Sequence, residues 1–298
     1  MRTTKRFTPQ VLQRFHRQGR GLGTFTDYIA WHCVSRGDPS SRGRSHLQMW
    51  QDRQRDLLSD HEWVILFFIL MLLNLIDVRE QFPLSLEEAA HEMGAYLVDA
   101  GDQRFPGTQA IARKLGIRHP ITSEGKESAD WVMSTDFLLA LRTEAGAIEL
   151  LAIAVKTEEE ARHKRKRQLL AIEREYWLTR GVTWLLITPA LYDADVGLNL
   201  RMQMPWMQGD PAPESAQQMA AESVRNFPGR SLTYILNQLT LKLGEIDLAQ
   251  RAFWQAVLTG KIRMKLRRGW RPHQPVILLP EADFVAQNPI ASRRSAWI

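Results

Sequence analysis

The chain has 298 residues, is 44% hydrophobic and 24% charged, and carries a formal net charge of +6 with a pI near 9.6. That length suits one large domain or a main domain with a smaller one, and the composition is that of a globular protein with a substantial core. The positive balance favours a polyanionic partner, while the single Cys33 excludes an internal disulfide or a zinc site built from several cysteines.

The N-terminal segment MRTTKRFTPQVLQRF is basic but lacks an apolar core, so it does not read as a secretory signal. Thr8-Pro9 predicts a helix start as N-cap and N1, with Gly19 ending that helix. Arg20–Arg55, rich in Gly, Ser and Arg, is expected to wrap the surface as an arm. Ser59 begins a helix that runs into Trp63–Ile76 (WVILFFILMLLNLI). This run is shorter than the ~20 residues a bilayer span requires and is closely flanked by charge. It predicts a helix buried on all sides of a core, in a soluble intracellular protein with no membrane partner. Val78–Gln81 before Pro83 reads as a short strand, and Ser85-x-x-Glu88 has capping-box spacing for a further helix.

Trp131–Leu141 and Ile148–Lys156 predict the two arms of a β-hairpin joined by the turn-rich Arg142–Ala147. Glu158–Arg180 follows as one long charged helix stopped by Gly181, and Val182–Thr188 as a compact strand before Pro189. This order predicts an α/β fold, a mixed sheet with helices packed on it. A composition shift at Gln208–Glu214 (QGDPAPE) predicts a domain boundary, giving residues 1–207 and 208–298. Beyond it, Ser215–Asn226, Ser231–Leu243 and Glu245–Thr259 read as helices, and Ile262–Leu266 and Val276–Leu279 as strands. Three helices and a two-stranded ribbon is the order of a winged-helix module.

Within the hairpin, the even register puts Asp136 opposite Ala154, with Lys156 as its diagonal neighbour. A carboxylate and an ammonium presented together at a sheet surface is what a metal-dependent nuclease of the restriction-endonuclease type needs. Asp136 is the natural first ligand for magnesium, a carbonyl at the Ala154–Val155 strand edge a second, and Lys156 a stabiliser of the charge building on phosphorus. The same two residues also read as a plain cross-strand salt bridge. Glu62 reads either as the reciprocal member of a Ser59-x-x-Glu62 capping box or as a carboxylate joining Asp136, and one glutamate is not expected to do both. Glu173 and Glu175, on the helix that carries His163–Arg167 (HKRKR), read by default as solvated i,i+4 partners. No HExxH, GxxxxGK[ST] or GxGxxG pattern occurs, which argues against a zinc protease, an ATPase or a dinucleotide enzyme. Lys261, Arg263, Lys265, Arg267, Arg268 and Arg271 cluster around Trp270, and alternation puts the first four on one strand face. They read as a phosphate-tracking wing or as an edge strand protected by charge.

Several longer words are more specific. Gly19–Trp31 (GRGLGTFTDYIAW), Gly43–His46 (GRSH), Leu57–Leu84 (LLSDHEWVILFFILMLLNLIDVREQFPL), Gly116–Pro120 (GIRHP), Val132–Leu138 (VMSTDFL), Ile153–Lys156 (IAVK) and Glu173–Trp177 (EREYW) occur in order. Together they closely resemble the TnsA family, the endonuclease subunits of heteromeric transposases in Tn-seven-like transposons. The likeness covers most of residues 19–188 and is much weaker beyond the predicted boundary. It implies a restriction-endonuclease-like N-terminal domain and a winged-helix-like C-terminal domain. It also implies Mg²⁺-dependent cleavage, with Mn²⁺ substituting, at the 5′ ends of the transposon on the non-transferred strand. The implied partners are transposon-end DNA, a TnsB-type transposase and a TnsC-type ATPase, in the bacterial cytoplasm at the nucleoid. Matched residue by residue, Glu62, Asp136 and Lys156 fall on the family's catalytic positions, and Glu173 on an acidic position after the core. Ala154 departs from the family's frequent Gln or Glu, and its methyl cannot ligate a metal. Ligation would then rest on Glu62, Asp136, the Val155 carbonyl and water. The departure motivates a second reading, a non-catalytic DNA-binding or adaptor subunit with a degenerate nuclease fold.

Overall fold

The expected hairpin forms the middle of a four-stranded sheet in a computed structural model that describes residues 7–35, 38, 44–97, 102–268 and 271–297. The chain falls into two units, one of Met1–Glu62, Asn74–Thr188 and Ala296–Ile298, the other of Trp63–Leu73 and Pro189–Ser295. The first holds the sheets and the second is mainly helical.

In the first unit, α1 (Pro9–Arg17) begins as its sequence predicts, with Thr8 Oγ1 accepting from Val11 N and Pro9 at N1. The following segment is more than a surface arm, although its residues 36–37 and 39–43 lie outside the described residues. It contains an antiparallel hairpin of β1 (His46–Trp50) and β2 (Arg53–Leu57), turned by Gln51 and Asp52, both at positive φ. Such a pair of left-handed residues matches the twist of tight hairpins. The Arg-rich composition of β2 hid it, because these arginines point into the protein. Arg53 grips Glu80 through both guanidinium nitrogens at 2.7 Å, and Arg53 and Arg55 both donate to the Val78 carbonyl. All three charged side chains are buried.

Glu80 lies on β3 (Leu75–Pro83), which follows α2 (Asp60–Leu70). The helix expected after Ser85 does not form. Ser85 and Leu86 instead turn their carbonyls onto the first N–H groups of α3 (Thr108–Lys114), at 2.9 and 3.2 Å. Those carbonyls are then spent on another helix's free donors. Gly107 permits the approach, since a Cβ there would sit 2.2 Å from the Glu87 carbonyl oxygen. Between them, β4 (Ala89–Ala90) pairs with β5 (Arg104–Phe105), and after α3, β6 (Ile121–Glu124) pairs with β7 (Glu127–Asp130).

The main sheet adds β8 (Ser134–Arg142), β9 (Ile148–Val155) and β10 (Thr183–Ile187), in the order β10-β9-β8-β3. The β3, β8 and β9 neighbours are antiparallel, while β10 runs parallel to β9 after a helical crossover. The predicted long helix is two helices, α4 (Glu158–Arg162) and α5 (Lys164–Thr179). They break at His163, which adopts an extended ψ of 120° and accepts from Lys166 N as the cap of α5. Leu138, Ala140, Ala152 and Ala154 join Tyr176 and Trp177 of α5 and Leu186 of β10 in one core cluster. The last described residues return to this unit: Ala296 N–H donates to the Leu186 carbonyl of edge strand β10, and Trp297 packs edge-on against Trp184.

In the second unit, Phe67, Phe68 and Ile69 of α2 are fully buried, as an apolar run on all sides requires. The remaining helices are α6 (Ala194–Met207), α7 (Glu214–Asn226), α8 (Leu232–Leu243), α9 (Ile246–Leu258) and α10 (Glu281–Ala286). The expected boundary at 207/208 falls inside this unit. There the Gln255 side chain accepts from Ala212 N and donates to the carbonyls of Trp206 and Asp210. The two strands expected at 262–266 and 276–279 reduce to one bridge, Met264↔Leu278, flanked by Lys265 N to Ile277 O and Leu279 N to Arg263 O bonds. No helix among the described residues is long and apolar enough to cross a membrane.

Replacing Glu80 with Gln leaves two buried guanidinium groups without their carboxylate. The expected loss is about 3–5 kcal/mol, read as a lower urea midpoint, and an unchanged midpoint would show that the arginines do not depend on that charge.

Candidate active site

The pairing of β8 with β9 ends at Phe137↔Ile153, so Asp136 and Ala154 come next in register and Lys156 lies just past the strand end. That register, set by the tight Thr143–Gly146 turn, delivers what alternation predicts. Lys156 Nζ stands 2.5 Å from Asp136 Oδ2, which also accepts from Val155 N at 2.6 Å. Among the described residues Asp136 Oδ1 accepts no hydrogen bond, which leaves its lone pairs for another partner. Burial alone would lower the Lys156 pKa, but the carboxylates of Asp136 and Glu173 outweigh it and hold the ammonium above the ordinary lysine value.

Glu62 caps its helix and also stands in the field of the Asp136–Lys156 pair. Its Oε1 accepts from Ser59 Oγ at 3.1 Å and its Oε2 from Leu58 N at 2.8 Å, while its own N–H donates to Ser59 Oγ. This is a capping box with the reciprocal bond moved one residue back. The same carboxyl is in the field of Asp136 and Lys156, and burial together with Asp136 pushes it up to about 8. Gln81 Nε2 donates to Glu62 Oε2 at 3.0 Å. Glu173, read from sequence as solvated, is buried on α5 and accepts from Thr135 Oγ1 and Trp184 Nε1. Burial raises it to about 7 against the opposing pull of Lys156. Glu175 is half-buried and pairs at 2.7 Å with Lys114 of α3 rather than with an i,i+4 cation of its own helix.

The structure thus brings Glu62, Asp136, Lys156 and Glu173 into one electrostatic group. Asp136, Lys156 and Glu173 line a cavity of about 240 Å³ with Lys166, His32 and Trp131. Among the described residues no three His, Cys, Asp or Glu side chains converge tightly enough to hold a metal ion alone. The donors present are carboxylate oxygens, the chemistry of a hard divalent cation that keeps several waters.

Residues 74–189 match the family model described as TnsA-like endonuclease N terminal. Over 218 residues the chain is 28% identical to Transposon Tn7 transposition protein TnsA of Escherichia coli, covering 72% of this chain and 68% of that protein. That matched span is TnsA-like.

The span matched to the TnsA-like domain contains Asp136, Lys156 and Glu173, while Glu62 precedes it. The six predicted phosphate contacts all lie in the second unit. Alternation holds there: Ile262, Met264 and Leu266 are buried, whereas Arg263, Lys265 and Arg267 are exposed. Lys261 pairs with Glu214, Arg263 with Glu281 and Arg267 with Asp193. Arg271 is exposed, and the Arg268 side chain and Trp270 lie outside the described residues.

Sequence reasoning missed Gln81, Thr135 and Trp184, which hold the two glutamates, and His32, which stacks on Trp131 at the cavity wall. No local spacing marks any of them, since each acts on a residue distant in the chain. His32 is buried, and that burial lowers its pKa to about 4. The unfolded chain takes up this proton near 6.5, so the stability is fully present above that pH and declines as pH falls toward 4. The wild type should lose about 2 kcal/mol between pH 7 and 5 that a His32→Phe variant does not lose. Equal pH slopes in denaturant unfolding would remove His32 as the cause.

Proposed function

We propose that this chain is a metal-dependent DNA endonuclease subunit of a cut-and-paste transposase. The observation that carries the reading is the Asp136–Lys156 pair at the end of the β8–β9 hairpin, with Glu62 and Glu173 in its field. Glu62 and Asp136, with the Val155 carbonyl and water, would hold Mg²⁺ or Mn²⁺. Such ions are commonly bound through one or two carboxylates, so a cluster of three acidic side chains is not required. A bound divalent cation supplies neutralisation of phosphate charge and a more acidic water. Lys156, kept protonated by Asp136, places a fixed positive charge against the negative charge that develops on phosphorus. Glu173, fixed by Thr135 and Trp184, sets the field around that ammonium.

The likeness to a Tn7 transposition protein supports transposon DNA as the substrate. Cleavage of the non-transferred strand at the 5′ ends, a TnsB-type transposase, a TnsC-type ATPase and a place in the cytoplasm at the nucleoid follow from the family resemblance. We read the N-terminal unit as restriction-endonuclease-like. The α7–α9 helices with the bridge at Met264 we read as winged-helix-like, with Arg263, Lys265 and Arg267 along the phosphates. Lys164–Arg167, in the first turn of α5, adds cations where a helix already favours an anion.

In a reconstituted excision assay with the neighbouring transposase, Asp136→Ala or Lys156→Ala should lower strand scission by about 10²-fold or more while circular dichroism stays unchanged. Scission by Asp136→Ala at the wild-type rate would exclude this active site. Buried Ala154, which offers no ligand, favours the non-catalytic adaptor as the second reading. Mn²⁺ titration separates the two: uptake that depends on Asp136 supports the nuclease, and no uptake in either protein supports the adaptor. Lys265→Ala should weaken DNA binding across sequences and reduce the log–log salt slope by about 1, and an unchanged slope would take that residue out of the interface.

A further inference from the structure

Five non-glycine residues among those described have positive φ. Gln51 and Asp52 turn a hairpin, Phe25 lies in a single helical turn and Arg293 in a loop turn, but Gln81 sits inside β3 with φ of 49°. The flanking pairs Glu80↔Phe137 and Phe82↔Thr135 put it directly across from Asp136. A side chain with a Cβ resists this conformation, and such outliers persist only where the surroundings over-determine them. They do so here. The Gln81 carbonyl accepts from Trp31 N at 3.2 Å, the Glu80 carbonyl accepts from Tyr28 Oη at 3.0 Å, and the Glu80 carboxylate is locked by Arg53.

What the strained backbone delivers is a buried amide. Glu62 accepts three hydrogen bonds, two of them from its own helix start, Leu58 N and Ser59 Oγ. The third, from Gln81 Nε2, is the one that comes from the sheet. It joins Glu62 to the residue in register with Asp136, and so connects two carboxylates 74 positions apart in sequence (136 − 62).

We propose that Gln81 is a positioning residue, retained in a strained conformation so that its amide fixes Glu62 relative to Asp136 for divalent-cation binding. The inference rests on the nuclease reading above. Glycine would relieve the backbone and asparagine would tolerate it, but neither carries an amide that reaches Glu62. A purely structural glutamine would be felt in the melting temperature and not in the ion.

The test uses the full chain, with Mn²⁺ titrated by the loss of its free paramagnetic resonance signal and melting followed in parallel. Gln81→Gly and Gln81→Asn are expected to keep the melting temperature within a few degrees and to weaken Mn²⁺ binding about 10- to 100-fold, the range for residues that orient ligands. Combined with Glu62→Ala, Gln81→Asn should add no further loss, because it acts through that carboxylate. Affinity within about twofold of wild type, or losses that add in the double variant, would overturn the proposal. If wild type and Asp136→Ala take up Mn²⁺ alike, the nuclease reading fails and this inference falls with it; if only Asp136→Ala loses uptake while Gln81→Asn does not, this inference alone fails.

Discussion

An ammonium at the end of a buried strand can stay charged only if a carboxylate meets it, and Asp136 does so at 2.5 Å from Lys156. Removing either partner would strand the other in a poorly solvated place, so strand register, turn and pair must be specified together. The same logic governs the other charges in this sheet. Glu80 is tolerated in β3 because Arg53 and Arg55 reach it from the N-terminal hairpin, and their bonds to the Val78 carbonyl also cover part of an open sheet edge. Around Lys156 the balance is deliberately uneven, with three carboxylates facing one ammonium. Glu62 and Glu173 are both shifted upward, by burial first and by Asp136 in addition.

Much of this was legible because it is local. Alternation in residues 131–156, the turn between the arms and the Ser59-x-x-Glu62 spacing are short-range signals, and each has its counterpart in the structure. What stayed hidden depends on partners far along the chain. Arg53 and Arg55 look like surface residues until Glu80 is placed beside them. Ser85-x-x-Glu88 has the spacing of a helix start, yet its carbonyls serve α3 instead. Glu173 sits in a charged helix, and Thr135 and Trp184, from two strands, are what show that it is inside. Glu62 shows a different limit. Its two oxygens accept from Leu58, Ser59 and Gln81 while the group stays in the field of Asp136 and Lys156, a combination that spacing alone does not show.

In the second unit the pattern survived while the element did not. Positions 261–267 alternate between outward cations and buried apolar residues, but pairing is limited to the neighbourhood of Met264 and Leu278. Backbone alternation is a property of extended chain, and it does not require a full ladder. The ion pairs of Lys261, Arg263 and Arg267 with Glu214, Glu281 and Asp193 join residues that spacing could not connect. Each is at least partly exposed, so each is a weak bond.

The chain leaves its first unit a second time at Pro189 and rejoins it at Ala296. There Trp297 lies against Trp184, whose indole N–H donates to Glu173, and Arg167 stacks on the other ring. Trp297 therefore buttresses an acidic side chain 124 positions earlier (297 − 173). A change at Trp297 thus reaches the Glu173 carboxylate through a single tryptophan, Trp184.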